Sequence, residues 1–193
     1  MFFRNDIPSL KENLIINSNL LGFDLELQTK WGVFSPKAID DGTLLLLKYL
    51  EINESDKCLD LGCGYGPIGL SVAKIAKSVD MVDKDFVAVE LSQINAKNNN
   101  LNNVNIYLSD GFSDTKDTDF NQIISNVPAK VGREQLSIIL YDAFDKMAVG
   151  GKITFVTING LRDFIKTNFK SVFGNYKKLK QGAKYTISQA IKQ

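Results

Sequence analysis

The chain has 193 residues, of which 44% are hydrophobic and 23% charged, with a formal net charge of +1; this balance fits one folded domain with a sizeable core and excludes a disordered chain. It contains no histidine, which excludes a Ser-His-Asp triad, a Cys-His nucleophile and histidine metal ligands. No apolar run approaches the ~20 residues of a bilayer span, and the start, Met1 to Asp6, lacks the basic-then-apolar pattern of a secretory signal, so a cytoplasmic location and no membrane partner are expected.

Up to about residue 50 the pattern reads as an extension. Phe23, Leu25, Leu27, Thr29 and Trp31 alternate with Asp24, Glu26, Gln28 and Lys30, the period of a strand with one buried face. Leu14-Ile15-Ile16 reads as its hairpin partner, with Asn17-Ser18-Asn19 near the turn. Asp40, Asp41 and Thr43 precede the apolar run Leu44 to Leu50, and acidic and hydroxyl residues before such a run mark a helix start.

From residue 57 onward strands and helices alternate. Lys57 to Leu61 reads as a buried strand, Pro67 to Lys77 as a helix with proline suited to its first turn, and Val79 to Val82 as a second strand. A helix from Asp85 to about Asn99, with Asp85 at its N-cap, and strands over Val104 to Leu108 and Phe120 to Ser125 follow. Arg133 to Met147 reads as a long helix closed by Gly150-Gly151, then come a strand over Ile153 to Thr157 and a helix from Leu161 to about Phe169. Tyr176 to Leu179 and Tyr185 to Ile191 read as a terminal hairpin around Gln181-Gly182. Alternating units build a parallel sheet covered on both faces, and the hairpin adds an antiparallel edge. The fold expected is therefore α/β, a doubly wound, mostly parallel sheet in a single domain: an extension over 1–50 and a cofactor-binding core over 51–193.

The strongest local signal is Asp60-Leu61-Gly62-Cys63-Gly64-Tyr65-Gly66-Pro67-Ile68-Gly69, which leaves a strand and opens a helix. Glycines there admit positive φ and let a ligand approach the backbone, over the carboxyl end of the sheet where doubly wound folds bind cofactors. Gly64 to Gly69 formally matches the dinucleotide pattern G-x-G-x-x-G. Against a dinucleotide stand the earlier start of the glycine run, at Gly62, and the carboxylate of Asp60 just before it. That charge would repel a pyrophosphate and suits the α-ammonium and sulfonium of S-adenosylmethionine. Asp83 ends the second strand twenty-one positions after Gly62, the spacing of an acid that accepts from ribose hydroxyls. After the third strand, Ser109-Asp110-Gly111 places an aspartate able to accept from the adenine amino group. Cys58 and Cys63 are spaced for neither a zinc ribbon nor a redox pair. They read as small buried residues, and no metal is expected.

In motif order, residues 57–157 resemble class I methyltransferases, with Asp60 to Gly66 as their first motif, Asp83 as the ribose acid and Asp110 as the adenine contact. The resemblance implies a seven-stranded sheet of order 3-2-1-4-5-7-6, counted from residue 57, with the seventh strand antiparallel. A narrower resemblance covers most of the chain. Gly32-Val33-Phe34-Ser35, Asp41-Gly42-Thr43, the Asp60 to Gly69 run, Ser125-Asn126-Val127-Pro128 and Val172-Phe173-Gly174-Asn175 are similar to the RsmC-type, or small-domain, methyltransferases. That group includes ribosomal RNA guanine-N2 methyltransferases, often with a second, duplicated domain; this chain is expected to hold only the catalytic one. The family's Asn-Pro-Pro followed by a variable, often aromatic residue is here Asn126-Val127-Pro128-Ala129.

The resemblance implies that the Asn126 side-chain oxygen and the backbone carbonyl near Val127 accept from a planar NH₂ group and turn its lone pair toward the methyl donor. Pro128 restricts Val127 to extended geometry, which aims that carbonyl. Asn126 also borders the cofactor, and the proton leaves to water, so no histidine is required. A flipped base needs a stacking surface; Ala129 cannot supply one, so Phe34 and Trp31 are the candidates, with Lys130 and Arg133 placed to hold phosphate. Arg162, Lys166, Lys170, Lys177, Lys178, Lys180, Lys184 and Lys192 face Asp163 alone in the last stretch, either a solvated lysine face or a surface for nucleic acid. The expected function is methylation of a guanine amine in ribosomal RNA. The alternatives are a methyltransferase for a protein glutamine or small amine, an NAD-dependent oxidoreductase, and a non-catalytic nucleotide-binding module.

Overall fold

The computed structural model describes residues 12–193; the Met1 to Asp6 start read above lies outside them. β1 (Leu14–Leu20) and β2 (Phe23–Thr29) form an antiparallel hairpin of their own. Its turn is Leu21-Gly22, both at positive φ, the two-residue form that matches strand twist. Asn17-Ser18-Asn19 therefore belongs to the strand, paired with Glu26, Leu25 and Asp24. On β2, Leu25, Leu27 and Thr29 are buried, as the alternation requires, but Phe23, beside the turn, is exposed. Trp31 lies past the strand and is 37% exposed, with the Lys37 ammonium over its ring.

The main sheet contains β3 (Lys57–Leu61), β4 (Ser78–Asp83), β5 (Val104–Leu108), β6 (Phe120–Asn126), β7 (Met147–Ile158), β8 (Lys177–Gln181) and β9 (Tyr185–Ile191). Their order is β5-β4-β3-β6-β7-β9-β8, with β9 antiparallel to both neighbours. Counted from residue 57 this is the 3-2-1-4-5-7-6 order expected. Successive residues of a strand face opposite layers, so each central strand feeds two cores. Cys58 and Ile124 pack with α1 (Asp41–Leu47), α2 (Pro67–Ala73) and α3 (Phe86–Asn98) through Leu46, Leu70 and Leu91. Leu59 and Ile123 pack with α4 (Arg133–Lys146) and α5 (Arg162–Phe173) through Leu140 and Phe169.

Three boundaries differ most from the sequence reading. α2 stops at Ala73, not Lys77, because Lys77 turns to donate to the Asp56 carbonyl and leads into β4. Gly150-Gly151 does not close α4; it lies inside β7, which begins at Met147. A Cβ on Gly151 would come within 2.8 Å of the Phe120 carbonyl oxygen, so the pair lets β7 approach β6 where their register shifts. α5 runs on to Phe173, where Gly174 caps it at φ 73, the usual left-handed close of a helix.

The hairpin is tied to the core through α3. Buried Asn95 donates to the carbonyls of Gln28 and Tyr65 and accepts from the Gln28 amide, and Asn99 pairs with both backbone groups of Glu26. Asn95 thus joins the hairpin directly to the glycine loop. The segment between β2 and α1 follows the same loop, because the Tyr65 hydroxyl donates to the Ser35 carbonyl, with the Ala38 carbonyl close by.

Candidate active site

The carboxyl ends of β3, β4, β6 and β7 open into a cleft of about 720 Å³. One half is walled by Gly62, Cys63, Gly64, Asp83, Ser109, Asp110 and Gly111; the other by Val33, Phe34, Asp40, Thr43, Asn126, Val127 and Tyr185, with apolar floor from Leu136, Ile139 and Phe155. The apolar share suits a planar ring and the few polar groups suit its orientation.

At the glycine loop, Gly62 and Gly64 have positive φ, and a Cβ on either would meet nothing within 4 Å. Their open side is the face a ligand would approach. Gly66 does different work: at φ 97 it precedes α2, and a Cβ there would lie 2.7 Å from Leu70 Cδ1. It sets the packing of the loop and does not line the cleft. Cys63 reaches the cleft wall but is buried, with Sγ near Ser92 Oγ. Burial pushes its thiol pKa well up, as it does for Cys58, so neither cysteine is a thiolate nucleophile.

Asp83 borders the cleft and braces the loop, one oxygen accepting from the Gly64 amide at 2.9 Å and the other from the Asp85 amide at 2.9 Å. Each oxygen keeps a second lone pair for a hydroxyl donor. Asp85 caps α3 through the Val87 amide, as its position after β4 implied. Asp110 is exposed at the cleft edge and accepts from Gln135 Nε2 at 3.2 Å.

Asp60 is a correction. It was expected to face the cofactor's cations, but it is 1% exposed and lies behind the loop, not on the cleft wall. Its Oδ2 accepts from the Gly69 amide at 2.7 Å, tying β3 to the first turn of α2, and its Oδ1 is buried without a partner. Burial, with Asp83 nearby adding to it, raises its pKa to about 7 against the pull of the Gly69 hydrogen bond. Arg133 is a second correction. Its guanidinium lies over the Phe164 ring of α5 and it does not line the cleft, whereas Gln135 and Leu136 of the same turn do. Trp31 is likewise off the cleft wall, whereas Phe34 is on it and 67% exposed. Lys130, exposed, and Ala129 line the turn that follows Pro128.

Asn126 ends β6 and is half-buried. Its Nδ2 donates to Asp40 Oδ2 at 2.9 Å and to Thr43 Oγ1 at 3.0 Å. Both amide hydrogens are thereby used, and among the described residues Oδ1 has no partner. Val127 donates its amide to the Val156 carbonyl, and its own carbonyl accepts nothing from the described residues. Two unengaged acceptors thus belong to consecutive residues that line the cleft. Asp40, Thr43 and Tyr185 were missed as site residues. Asp40 carried only a helix-start signal, and it lies 86 positions from Asn126 in the chain.

The loop discriminates between cofactors. The amides of Gly62 and Cys63 both donate to the Val82 carbonyl, that of Gly64 to Asp83, and that of Gly66 to the Cys63 carbonyl; Pro67 has no amide hydrogen. A pyrophosphate needs several free amides; here these four are taken, and Asp83 adds a carboxylate beside them. S-adenosylmethionine, a nucleoside carrying cations, fits a cleft bordered by Asp83 and Asp110. The sheet order and this loop chemistry define a class I S-adenosylmethionine-dependent methyltransferase.

The sequence profile described as the methyltransferase small domain matches residues 24–189. The uncharacterised protein YbxB of Bacillus subtilis is 36% identical over 159 residues, 80% of this chain and 79% of that protein. Ribosomal RNA small subunit methyltransferase C of Hamiltonella defensa is 31% identical over 173 residues, 86% of this chain and 50% of that protein. Among solved structures, the 16S rRNA N2 methyltransferase RsmC of T. thermophilus, in complex with AdoMet and guanosine, superposes with a TM-score of 0.85 at 26% identity, covering 94% of this chain and 51% of its own. The chain belongs to the methyltransferase small domain family. It spans about half the length of these RsmC proteins. Among the described residues no helix is long and apolar enough to cross a membrane, and no group of three acidic, cysteine or histidine residues could hold a metal ion.

Proposed function

We propose that the protein methylates the exocyclic N2 amine of a guanine in ribosomal RNA. The observation that carries this reading is the pair of unengaged acceptors, Asn126 Oδ1 and the Val127 carbonyl, beside a nucleoside-sized cleft. The likeness to an RsmC solved with AdoMet and guanosine supports the same substrate. We read residues 12–50 and the core from 51 as one catalytic unit acting where ribosomes are made, in the cytoplasm.

An exocyclic amine is a weak nucleophile because its lone pair is delocalised into the ring. S-adenosylmethionine, when bound, supplies a methyl group on an electron-poor sulfonium. Asn126 Oδ1 and the Val127 carbonyl accept the two N–H groups and hold the nitrogen with its lone pair out of the ring plane. Transfer of that methyl would form the N–C bond at the nitrogen these two acceptors hold, leave the C–S electron pair on sulfur, and release one N–H proton to water. Positioning supplies most of the acceleration, so the absence of histidine costs nothing. Phe34, exposed on the rim and held there by the Tyr65 tie to its neighbour Ser35, is the stacking surface that Ala129 cannot be. Lys130 lies on the same rim for a phosphate.

The test is transfer of labelled methyl to small-subunit ribosomal RNA, read as N2-methylguanosine after digestion. Asn126→Ala is expected to lower kcat on the order of 10²-fold, the scale of one preorganised polar contact in an active site. Label appearing in protein instead of RNA would contradict the substrate, and an unimpaired Asn126→Ala would contradict the role of that side chain.

A further inference from the structure

Resting on the methyl-transfer reading above, we propose that Asp40, buttressed by Tyr185, is the positioning residue that locks the Asn126 amide with its oxygen toward the acceptor amine. A primary amide presents nearly the same shape when rotated by 180°, so its orientation must be imposed by its neighbours. Thr43 Oγ1 can donate or accept and would tolerate either orientation. A carboxylate only accepts. With the amide reversed, Asn126 Oδ1 would face Asp40 Oδ2 across the 2.9 Å now spanned by a hydrogen bond. Asp40 therefore decides which end of the amide reaches the cleft.

Asp40 is itself held from several sides. Its Oδ2 caps α1, accepting from the Gly42 amide at 2.8 Å and the Thr43 amide at 3.3 Å. Its Oδ1 accepts from the Tyr185 hydroxyl at 3.2 Å. Burial first, and the Asp40 charge second, raise the Tyr185 pKa, which keeps that hydroxyl a donor. Gly42 makes the approach possible: a Cβ there would lie 2.7 Å from Asp40 Oδ2 and 3.1 Å from Tyr185 Cε1. The antiparallel register of β9 brings Tyr185 opposite Ile158, at the cleft end of β7. Three distant parts of the chain, the segment before α1, the end of β6 and the start of β9, thus meet at one carboxylate.

The charge has a chemical use as well. The acceptor nitrogen gains positive charge as its bond to the methyl carbon forms and the carbon–sulfur bond breaks. A carboxylate behind the amide polarises it and makes Oδ1 a stronger acceptor when that charge develops.

A double-mutant cycle tests this with the RNA methylation assay. Asp40→Asn keeps the helix cap, since asparagine caps as well as aspartate, but removes the charge and the acceptor-only rule. It is expected to lower kcat on the order of 10²-fold, the cost of a misplaced reacting geometry, with KM for S-adenosylmethionine unchanged. In an Asn126→Ala background the same substitution is expected to add nothing, because its effect passes through that side chain. Gly42→Ala, which favours the helix but crowds the carboxylate, is expected to lower kcat with the same KM. An undiminished kcat in Asp40→Asn, or losses that multiply in the double variant, would overturn the proposal. Full activity in Asn126→Ala alone instead removes the underlying reading, before Asp40 is touched. A measurement independent of substrate is the side-chain ¹⁵NH₂ resonance of Asn126, identified by its loss in Asn126→Ala. It is expected to shift and to exchange faster with water in Asp40→Asn; an unmoved resonance would overturn the positioning role whatever the substrate.

Discussion

Asp60 carries a penalty that its place in the fold makes measurable. Desolvation raises its pKa from 3.8 to about 7. Between those values the folded state keeps a proton that the unfolded chain has released, so stability falls as pH rises across that window and the cost is complete above it. Asp60→Asn keeps an acceptor for the Gly69 amide and removes the ionisation. Its melting temperature, compared with the parent by calorimetry, is expected to match near pH 4 and to gain steadily up to pH 8; parallel profiles would contradict this. The sequence placed Asp60 at the right point of the chain, the last turn of β3 into the loop, but not its direction. Asp83, at the end of the neighbouring strand, does line the cleft. Which face a strand-end side chain takes depends on the packing of α2 over β3, where Gly69 approaches Met81 so closely that a Cβ would lie 2.7 Å from it. That contact is invisible in a local pattern.

Among the elements, the hairpin and α3 depend on one buried amide. Asn95→Ala would leave the Tyr65 carbonyl and the Gln28 backbone groups without partners, at about 1–3 kcal/mol for each buried group left unpaired. A lower denaturation midpoint is expected, together with faster amide exchange in β2 and the glycine loop; an unchanged midpoint would contradict the tie. The elements themselves were largely legible. The period-two run from Phe23 and the strands Val104–Leu108 and Tyr185–Ile191 stand where the pattern put them. Ends set by tertiary contact were not: Gly150-Gly151 resembles a helix stop, yet the backbone of Phe120 makes it part of β7. The Asp40 carboxylate looked like a helix cap, and it is one. Its second partner, Asn126, comes from a strand that no local window contains.

Across the whole molecule, the late lysines collect where an RNA chain could use them. Lys177, Lys178 and Lys180 are exposed on β8, one of the two edge strands of the sheet, and Lys184 follows beside Tyr185 at the cleft end. Lysines on an edge strand also discourage strand pairing with other chains, so their role in binding needs a charge-specific readout. Each phosphate contact contributes about 0.7–0.9 to the slope of log affinity against log salt. Lys177→Gln combined with Lys180→Gln is expected to flatten that slope in an anisotropy titration with ribosomal RNA while leaving the methyl donor's affinity unchanged; an identical slope would assign these lysines to edge protection alone.

The fit between a loop whose Gly62, Cys63, Gly64 and Gly66 amides are already engaged, the flanking carboxylates and a cation-bearing nucleoside is most directly tested by calorimetric titration of the protein with S-adenosylhomocysteine and, separately, NADH. One equivalent of S-adenosylhomocysteine is expected to bind, about 10- to 100-fold more weakly to Asp83→Asn, as loss of a charged hydrogen bond implies, while NADH gives no heat of binding. Tight NADH binding with no response to S-adenosylhomocysteine would contradict the assignment.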